Sequence, residues 1–248
     1  MAKKIALALL IAAMVTGGAF AIDLSAGIGG TFTANFQTFS WGEDGKKYRE
    51  SLNSADFTED VYDMNLIGGG FFAFFDASYV MASLGMGFYD ISPADENRKK
   101  RWEENKRSQS LTMFEIGLYG KFPIELDSFT LFPFLGADFR IAVSQTIKQD
   151  GKTYKYGETY DGVKQVATDK DGNEYSLNDV AGHVMFKLGI GADIPLGDKM
   201  YLRPMISYGV GTLSKATKEG QEEDNKDQDW GKLIHHGLDV KLALGFKF

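Results

Sequence analysis

The chain closes on Gly237-Leu238-Asp239-Val240-Lys241-Leu242-Ala243-Leu244-Gly245-Phe246-Lys247-Phe248. Leu238, Val240, Leu242, Leu244, Phe246 and Phe248 share one parity, and Gly237, Asp239, Lys241, Ala243, Gly245 and Lys247 share the other. A period of two means an extended strand with one apolar and one polar face. The alternation runs without a break to an aromatic at the last residue.

The same pattern recurs upstream. The first segment runs from about Leu24 to Phe36, with Leu24, Ala26, Ile28, Phe32, Ala34 and Phe36 on the apolar side. The second, about Tyr62 to Phe75, contains Gly68-Gly69-Gly70, which reads as a bulge or bend and leaves the face of Phe71 to Phe75 open. The third sets Val80, Ala82, Leu84, Met86 and Phe88 against Ser83, Gly85, Gly87 and Tyr89. The fourth sets Phe114, Ile116, Leu118 and Phe122 against Glu115, Gly117, Tyr119 and Lys121. In the fifth, Leu131 to Ile141 oppose Gly136, Asp138 and Arg140; in the sixth, Val184 to Ile194 oppose Lys187, Gly189, Gly191 and Asp193. The seventh sets Leu202, Pro204, Ile206, Tyr208 and Val210 against Arg203, Ser207, Gly209 and Gly211. With the terminal stretch, eight strands are predicted.

Connections alternate in length. Those near Asp76-Ala77, Pro123 to Phe129 and Gly197-Asp198-Lys199 are short, while Ser40 to Asp60, Ile91 to Ser110, Gln145 to Asp179 and Ser214 to Gly231 are long and charged. The third long connection carries Asp150-Gly151, Asp161-Gly162 and Asp171-Gly172, each a hairpin-turn signal. A polar hairpin projecting beyond the barrel is expected there. A ten-stranded barrel that includes it is the competing count, disfavoured because Lys152 to Tyr160 offers no apolar face.

Ahead of the first strand, Ala2-Lys3-Lys4 gives a positive start, Ile5 to Val15 an apolar core and Ala19-Phe20-Ala21 a small-x-small site. The core is shorter than the roughly 20 residues a spanning helix needs. A secretory signal is therefore expected at residues 1–21, cut after Ala21, with the β-barrel at 22–248. Absence of cysteine excludes disulfides, thiolate metal sites and an acylated lipoprotein cysteine. The formal charge of -7 argues against a nucleic-acid partner.

These strands and the terminal aromatic resemble the small eight-stranded bacterial outer-membrane β-barrels, the class of OmpX, the OmpA membrane domain and OmpW. In Lys241, Phe246 and Phe248 the chain is similar to the family's assembly signal, with Ala243 where glycine is usual. The resemblance implies an all-β, antiparallel up-and-down transmembrane barrel with four long extracellular loops and both termini periplasmic. It also implies a monomer, outer-membrane lipid around it and the barrel-assembly machinery as a partner during biogenesis. Phe39, Trp41, Phe122, Phe129 and Tyr201 are the expected interface aromatics.

An eight-stranded barrel is only wide enough for its own side chains. Inward-facing Glu115, Lys121, Asp138, Arg140, Lys187, Asp193, Arg203, Asp239, Lys241 and Lys247 therefore form an ion-paired plug or, alternatively, line a narrow charged path. His183, His235 and His236 fall at the outer ends of strands, where some small barrels hold catalytic histidines, but no His-x-Ser occurs. Asp169 to Glu174 imitates a calcium loop with its glycine misplaced, and is better read as a turn. Glu222-Glu223-Asp224 reads as a solvated tip. Arg98-Lys99-Lys100-Arg101 with Lys106-Arg107 is a candidate grip for sulfated host glycans or anionic headgroups, interleaved with acids. No catalytic, cofactor or metal residue is assigned, and no cofactor is expected. Three functions follow in order: an anchor for charged surface loops in structural, adhesive or host-contact roles, reaching host matrix or glycans; an OmpW-like narrow channel for small or apolar solutes; and a lipid-modifying or proteolytic enzyme.

Overall fold

The computed structural model describes residues 23–41, 43, 64–94, 96–160, 162–168, 172–212, 214 and 231–248, with backbone alone at 39–41 and 231–233. The predicted signal segment, Glu222-Glu223-Asp224 and most of the first and fourth long connections lie outside the described residues. The elements are β1 (Leu24–Trp41), β2 (Met64–Ala77), β3 (Val80–Pro93), α1 (Glu96–Glu104), β4 (Ser108–Lys121), β5 (Ile124–Glu125), β6 (Thr130–Gln149), β7 (Lys152–Lys155), β8 (Thr159–Tyr160), β9 (Val163–Lys164), α2 (Leu177–Ala181), β10 (His183–Pro195), β11 (Met200–Gly211) and β12 (Gly231–Lys247).

Eight of these strands form the wall. β1, β2, β3, β4 and β6 pair in succession, β10 to β12 follow, β6 pairs with β10, and β12 returns to β1. Every pairing is antiparallel, so the sheet closes into an up-and-down barrel. Along a strand, alternate residues face outward and inward, and the burial along each strand follows that alternation. It is inverted relative to a water-soluble protein. Leu188, Leu135 and Phe186 are 67%, 66% and 60% exposed, whereas Arg140, Arg203 and Asp138 are at most 2% exposed. An apolar exterior around a polar interior suits lipid outside, and closure leaves no unpaired edge in it. This is a transmembrane barrel of the outer-membrane type.

The short turns cluster at one end with the chain ends. The Ser78 amide donates to Asp23 O at 3.1 Å, Phe248 to Leu24 O at 3.0 Å, and Lys247 to Lys199 O at 2.8 Å. The long connections leave from the other end. β6 outruns its neighbours and continues past Asp150 (φ 51°) and Gly151 (φ 77°) into β7. Two successive positive φ values make the type I′ turn that Asp-Gly favours. β8 and β9 pair only with each other, so the third connection forms a projecting hairpin and the wall stays at eight strands. In the second connection α1 lies wholly at the surface, with the Arg107 guanidinium 4.6 Å from the Trp102 ring.

Two expectations change. Gly68 to Gly70 make no bulge: β2 keeps register with β1 and β3 throughout, putting Phe71 and Phe75 outside and Phe72 and Phe74 inside. The glycines serve close approach instead, since a Cβ at Gly70 would meet the Met86 carbonyl and the Gly87 backbone. The register shift falls elsewhere. Thr112 pairs with Ser144 but Met113 with Ala142, leaving Val143 as the extra residue on β6. Tyr201 is no interface aromatic. It shares the inward parity of Arg203 and Met205, is 1% exposed, and its hydroxyl lies 2.7 Å from Ser25 Oγ. Phe122 does face outward and Phe129 is half-buried, while the Phe39 and Trp41 side chains lie outside the described residues.

The outward register makes a clear prediction. Leu242 is exposed on β12 between Pro204 and Gly30, so Leu242→Lys should lower barrel stability by about 2–4 kcal/mol near the midplane. Urea unfolding of refolded protein in lipid vesicles measures this; an unchanged midpoint would contradict the register.

Candidate functional site

The lumen is the site that the sequence singles out, and it is filled in layers. Inward glycines leave room for inward rings. The Tyr201 ring lies over Gly245, Phe74 over Gly27, Phe134 over Gly189 and Phe132 over Gly191, each where a Cβ would stand. Toward the short-turn end, Arg203 binds both oxygens of Asp193 (Nε–Oδ1 2.5 Å, Nη2–Oδ2 2.7 Å) and reaches Asp76 at 2.6 Å. Lys121 holds the same Asp76 oxygen at 2.6 Å. The Arg203 guanidinium also lies within 5.0 Å of the ring centres of Phe74, Tyr201 and Phe132. A planar cation stacked on rings and forked onto a carboxylate is held in one geometry.

In the middle, Phe72, Met81, Tyr119, Phe134 and Met205 pack as an apolar plug. Lys241 Nζ sits 5.2 Å and 5.6 Å from the Phe72 and Tyr119 ring centres and 3.5 Å from the Tyr119 hydroxyl. A void of about 10 Å³ lies beside it, about the size of one water.

Above the plug, Lys187 bridges Asp138 and Asp239. The Thr33 hydroxyl donates to Asp239 at 2.6 Å, and Arg140 reaches Asp239 at 3.4 Å and Glu115 at 3.5 Å. The Tyr89 and Tyr119 hydroxyls donate to Glu115 and Asp138 respectively. Five cations, Lys121, Arg140, Lys187, Arg203 and Lys241, thus face five carboxylates, Asp76, Glu115, Asp138, Asp193 and Asp239. Asp76 is the member that sequence reasoning missed. Its place beside a turn hid it, although the Phe72–Phe74 parity on β2 leads directly to it. Lys247, grouped with the inward charges by parity, is exposed at the chain end.

The histidines divide. His236 faces out, its Nδ1 3.0 Å from the Tyr208 hydroxyl. His183 and His235 face in and are buried at the loop end of the lumen, their rings 4.3 Å apart and edge-on. Asp239, four residues from His235, is engaged by Lys187, Thr33 and Arg140 instead. No relay from carboxylate through imidazole to a nucleophile forms among these groups. Outside the lumen, Glu174 pairs with Lys164 and Thr168 bridges to it, while 169–171 lie outside the described residues.

The balance suggests a test. Lys187→Met leaves two buried carboxylates without their shared cation, a change that costs about 3–5 kcal/mol. The triple variant Lys187→Met/Asp138→Asn/Asp239→Asn should recover most of that loss. Urea midpoints of the two refolded variants decide it, and equal midpoints would mean the pairs are replaceable by water.

No family profile matches the sequence, and no curated protein matches it. Among solved structures the chain is similar to Neisserial surface protein A, at 11% identity and TM-score 0.42 over 90% of this chain and 99% of that one. It is similar to the outer membrane protein OprG from Pseudomonas aeruginosa, at 8% identity and TM-score 0.41 over 92% and 96%. A third is Ail, the attachment invasion locus protein of Yersinia pestis, solved with the heparin analogue sucrose octasulfate, at 10% identity and TM-score 0.37 over 92% and 100%.

Proposed function

We propose that this barrel is a closed anchor in the bacterial outer membrane and that its function is carried by the segments it holds outside, through contact with anionic groups at the surface. The carrying observation is the lumen among the described residues, where paired charges flank a ring-packed middle and the void beside Lys241 has room for about one water. A conducting path needs continuous water, and the Arg203, ring and Lys187 layers each set side chains across it. General diffusion in porins takes about 16–18 strands, twice the wall present here. The outer end offers more. α1 carries Arg98-Lys99-Lys100-Arg101 on a helix with no buried residue, and Lys106 and Arg107 follow it. Such a run, set at the loop end, suits a sulfated or phosphorylated polymer reached from outside.

Single-channel recording of the refolded mature barrel in a planar bilayer tests the closed lumen. A silent membrane, with insertion shown by heat-modifiable gel mobility, is expected; steady steps altered by Arg203→Ala would favour the narrow-channel reading instead.

The surface contact has its own test. Heparin retention of barrel-containing vesicles should fall at least tenfold in Lys99→Ala/Lys100→Ala/Arg101→Ala and weaken with added salt. Retention unchanged by that variant would remove α1 from the contact.

A further inference from the structure

Where α1 ends, the second long connection turns a corner with a strained backbone. The Asn105 amide donates to Arg101 O at 3.1 Å, Lys106 to Glu103 O at 3.0 Å and Arg107 to Trp102 O at 2.7 Å. The last two are the paired bonds of a Schellman motif, whose turning residue is left-handed and most often glycine. Here it is Lys106, at φ 45°, a conformation that a side chain disfavours. The side-chain contact that accompanies the motif falls to Trp102 and Arg107, a guanidinium 4.6 Å from an indole. Arg107 is committed to that ring, and its Nε is buried without a hydrogen bond among the described residues. Lys106 is exposed. A lysine held in a glycine's conformation and presented to water is strain kept for its side chain.

The corner is tied to the third connection as well. The Asp150 amide, in the turn between β6 and β7, donates to Asn105 O at 3.3 Å, and Lys148 stands opposite Ser108 in the ladder. Lys106 and Lys148 therefore flank one junction between two loops. Lys99, Lys100 and Arg101 precede it on α1, and among the described residues none of these five cations has an ion pair. In the third connection Lys155 and Lys164 are paired, with Glu158 and Glu174. Glu103 and Glu104 lie between Arg101 and Lys106, so the corner is distinguished by position and not by total charge.

Height separates two kinds of anionic partner. The last outward apolar residue of β3 is Phe88, 49% exposed and opposite Thr112, and Asp90 with Ser110 follows it. Ser108 lies further out on β4, about 13 Å along the strand from Thr112 and about 10 Å along the barrel axis at the tilt of such walls. Lipid headgroups fill roughly 5–7 Å beyond the hydrocarbon. α1 also leans toward the mouth, with Arg98 Nη2 3.9 Å from the sulfur of Met64, which shares the inward parity of Phe72 and Phe74.

We propose that Lys106 and Lys148 form, with the α1 cations, one continuous site for a linear polyanionic glycan lying across the second and third connections. The site rests on the surface-contact reading above, and adds to it a leading residue, a second loop and a choice of polymer over lipid. A preset corner spares the complex the ordering of a flexible loop. Point charges on lysine stems suit sulfates or carboxylates spaced along a chain.

The test uses refolded barrel in phosphatidylcholine nanodiscs, with immobilised heparin as one probe and phosphatidylglycerol vesicles as the other. Wild type should be retained on heparin, with affinity at least fivefold lower in Lys106→Gly and in Lys148→Ala and unchanged in Lys155→Ala. The vesicles should bind wild type and Lys106→Gly alike. Glycine relieves the left-handed backbone, so the urea midpoint of Lys106→Gly should equal or exceed that of wild type. Lost binding without lost stability is a result that a purely structural lysine does not give. Wild type that heparin fails to retain would overturn this site together with the surface-contact reading. Retention of wild type with no change in Lys106→Gly or in Lys148→Ala overturns the site alone, as does capture by the vesicles that depends on Lys106.

Discussion

The structure depends on one constraint, that a backbone in hydrocarbon has no water to bond. Each unpaired N–H or C=O there costs several kcal/mol, so the sheet must return to its own first edge. Pairing of β1 with β12 and of β6 with β10 supplies that return. Everything else follows from closing at eight strands. The interior is then only about wide enough for side chains, the inner parity fills it, and glycine alternates with ring along the same face. Lipid takes the apolar parity, and the polar residues are left to satisfy one another.

That last requirement explains the layered interior. An isolated buried charge is costly and an incomplete pair is worse than none, so the lumen is neutral and every charged side chain in it touches a counter-charge, a hydroxyl or a ring face. Arg203 shows the economy of a forked cation, with two contacts to Asp193, one to Asp76 and three ring faces. The layer at the loop end departs from full satisfaction: Arg140 Nε and Nη1, the Nε2 atoms of His183 and His235 and the Asn35 amide are buried without a hydrogen bond among the described residues.

Much of this was legible in the sequence. Period-two patterning shows which residues face which way, and the short and long connections show which end is which. Loss of legibility had physical causes. Asp76 sits where a strand meets a turn, and composition there suggests a turn although parity continues through it. Gly68 to Gly70 carry no side chains, so they carry no parity, and only pairing with Gly87 and Thr31 fixes the faces of the phenylalanines after them. The bulge at Val143 is invisible because one extra residue in an apolar-polar run looks like ordinary variation. The meeting of His183 with His235 depends on the stagger between β10 and β12 across β11, and one-dimensional spacing contains no stagger.

The seam between β1 and β12 joins Ser25 with Lys247 and continues to Trp41 with Gly231. These partners stand at opposite ends of the sequence, so the ladder that completes the wall has the greatest loop-closure cost of any in the protein. Until it forms, two long unsatisfied edges remain, and such edges recruit foreign strands. Kinetics therefore follow from topology: nucleation can begin in any neighbouring hairpin, but commitment waits for the last-made segment to find the first. A helper that shields both edges during that interval acts on the slowest step.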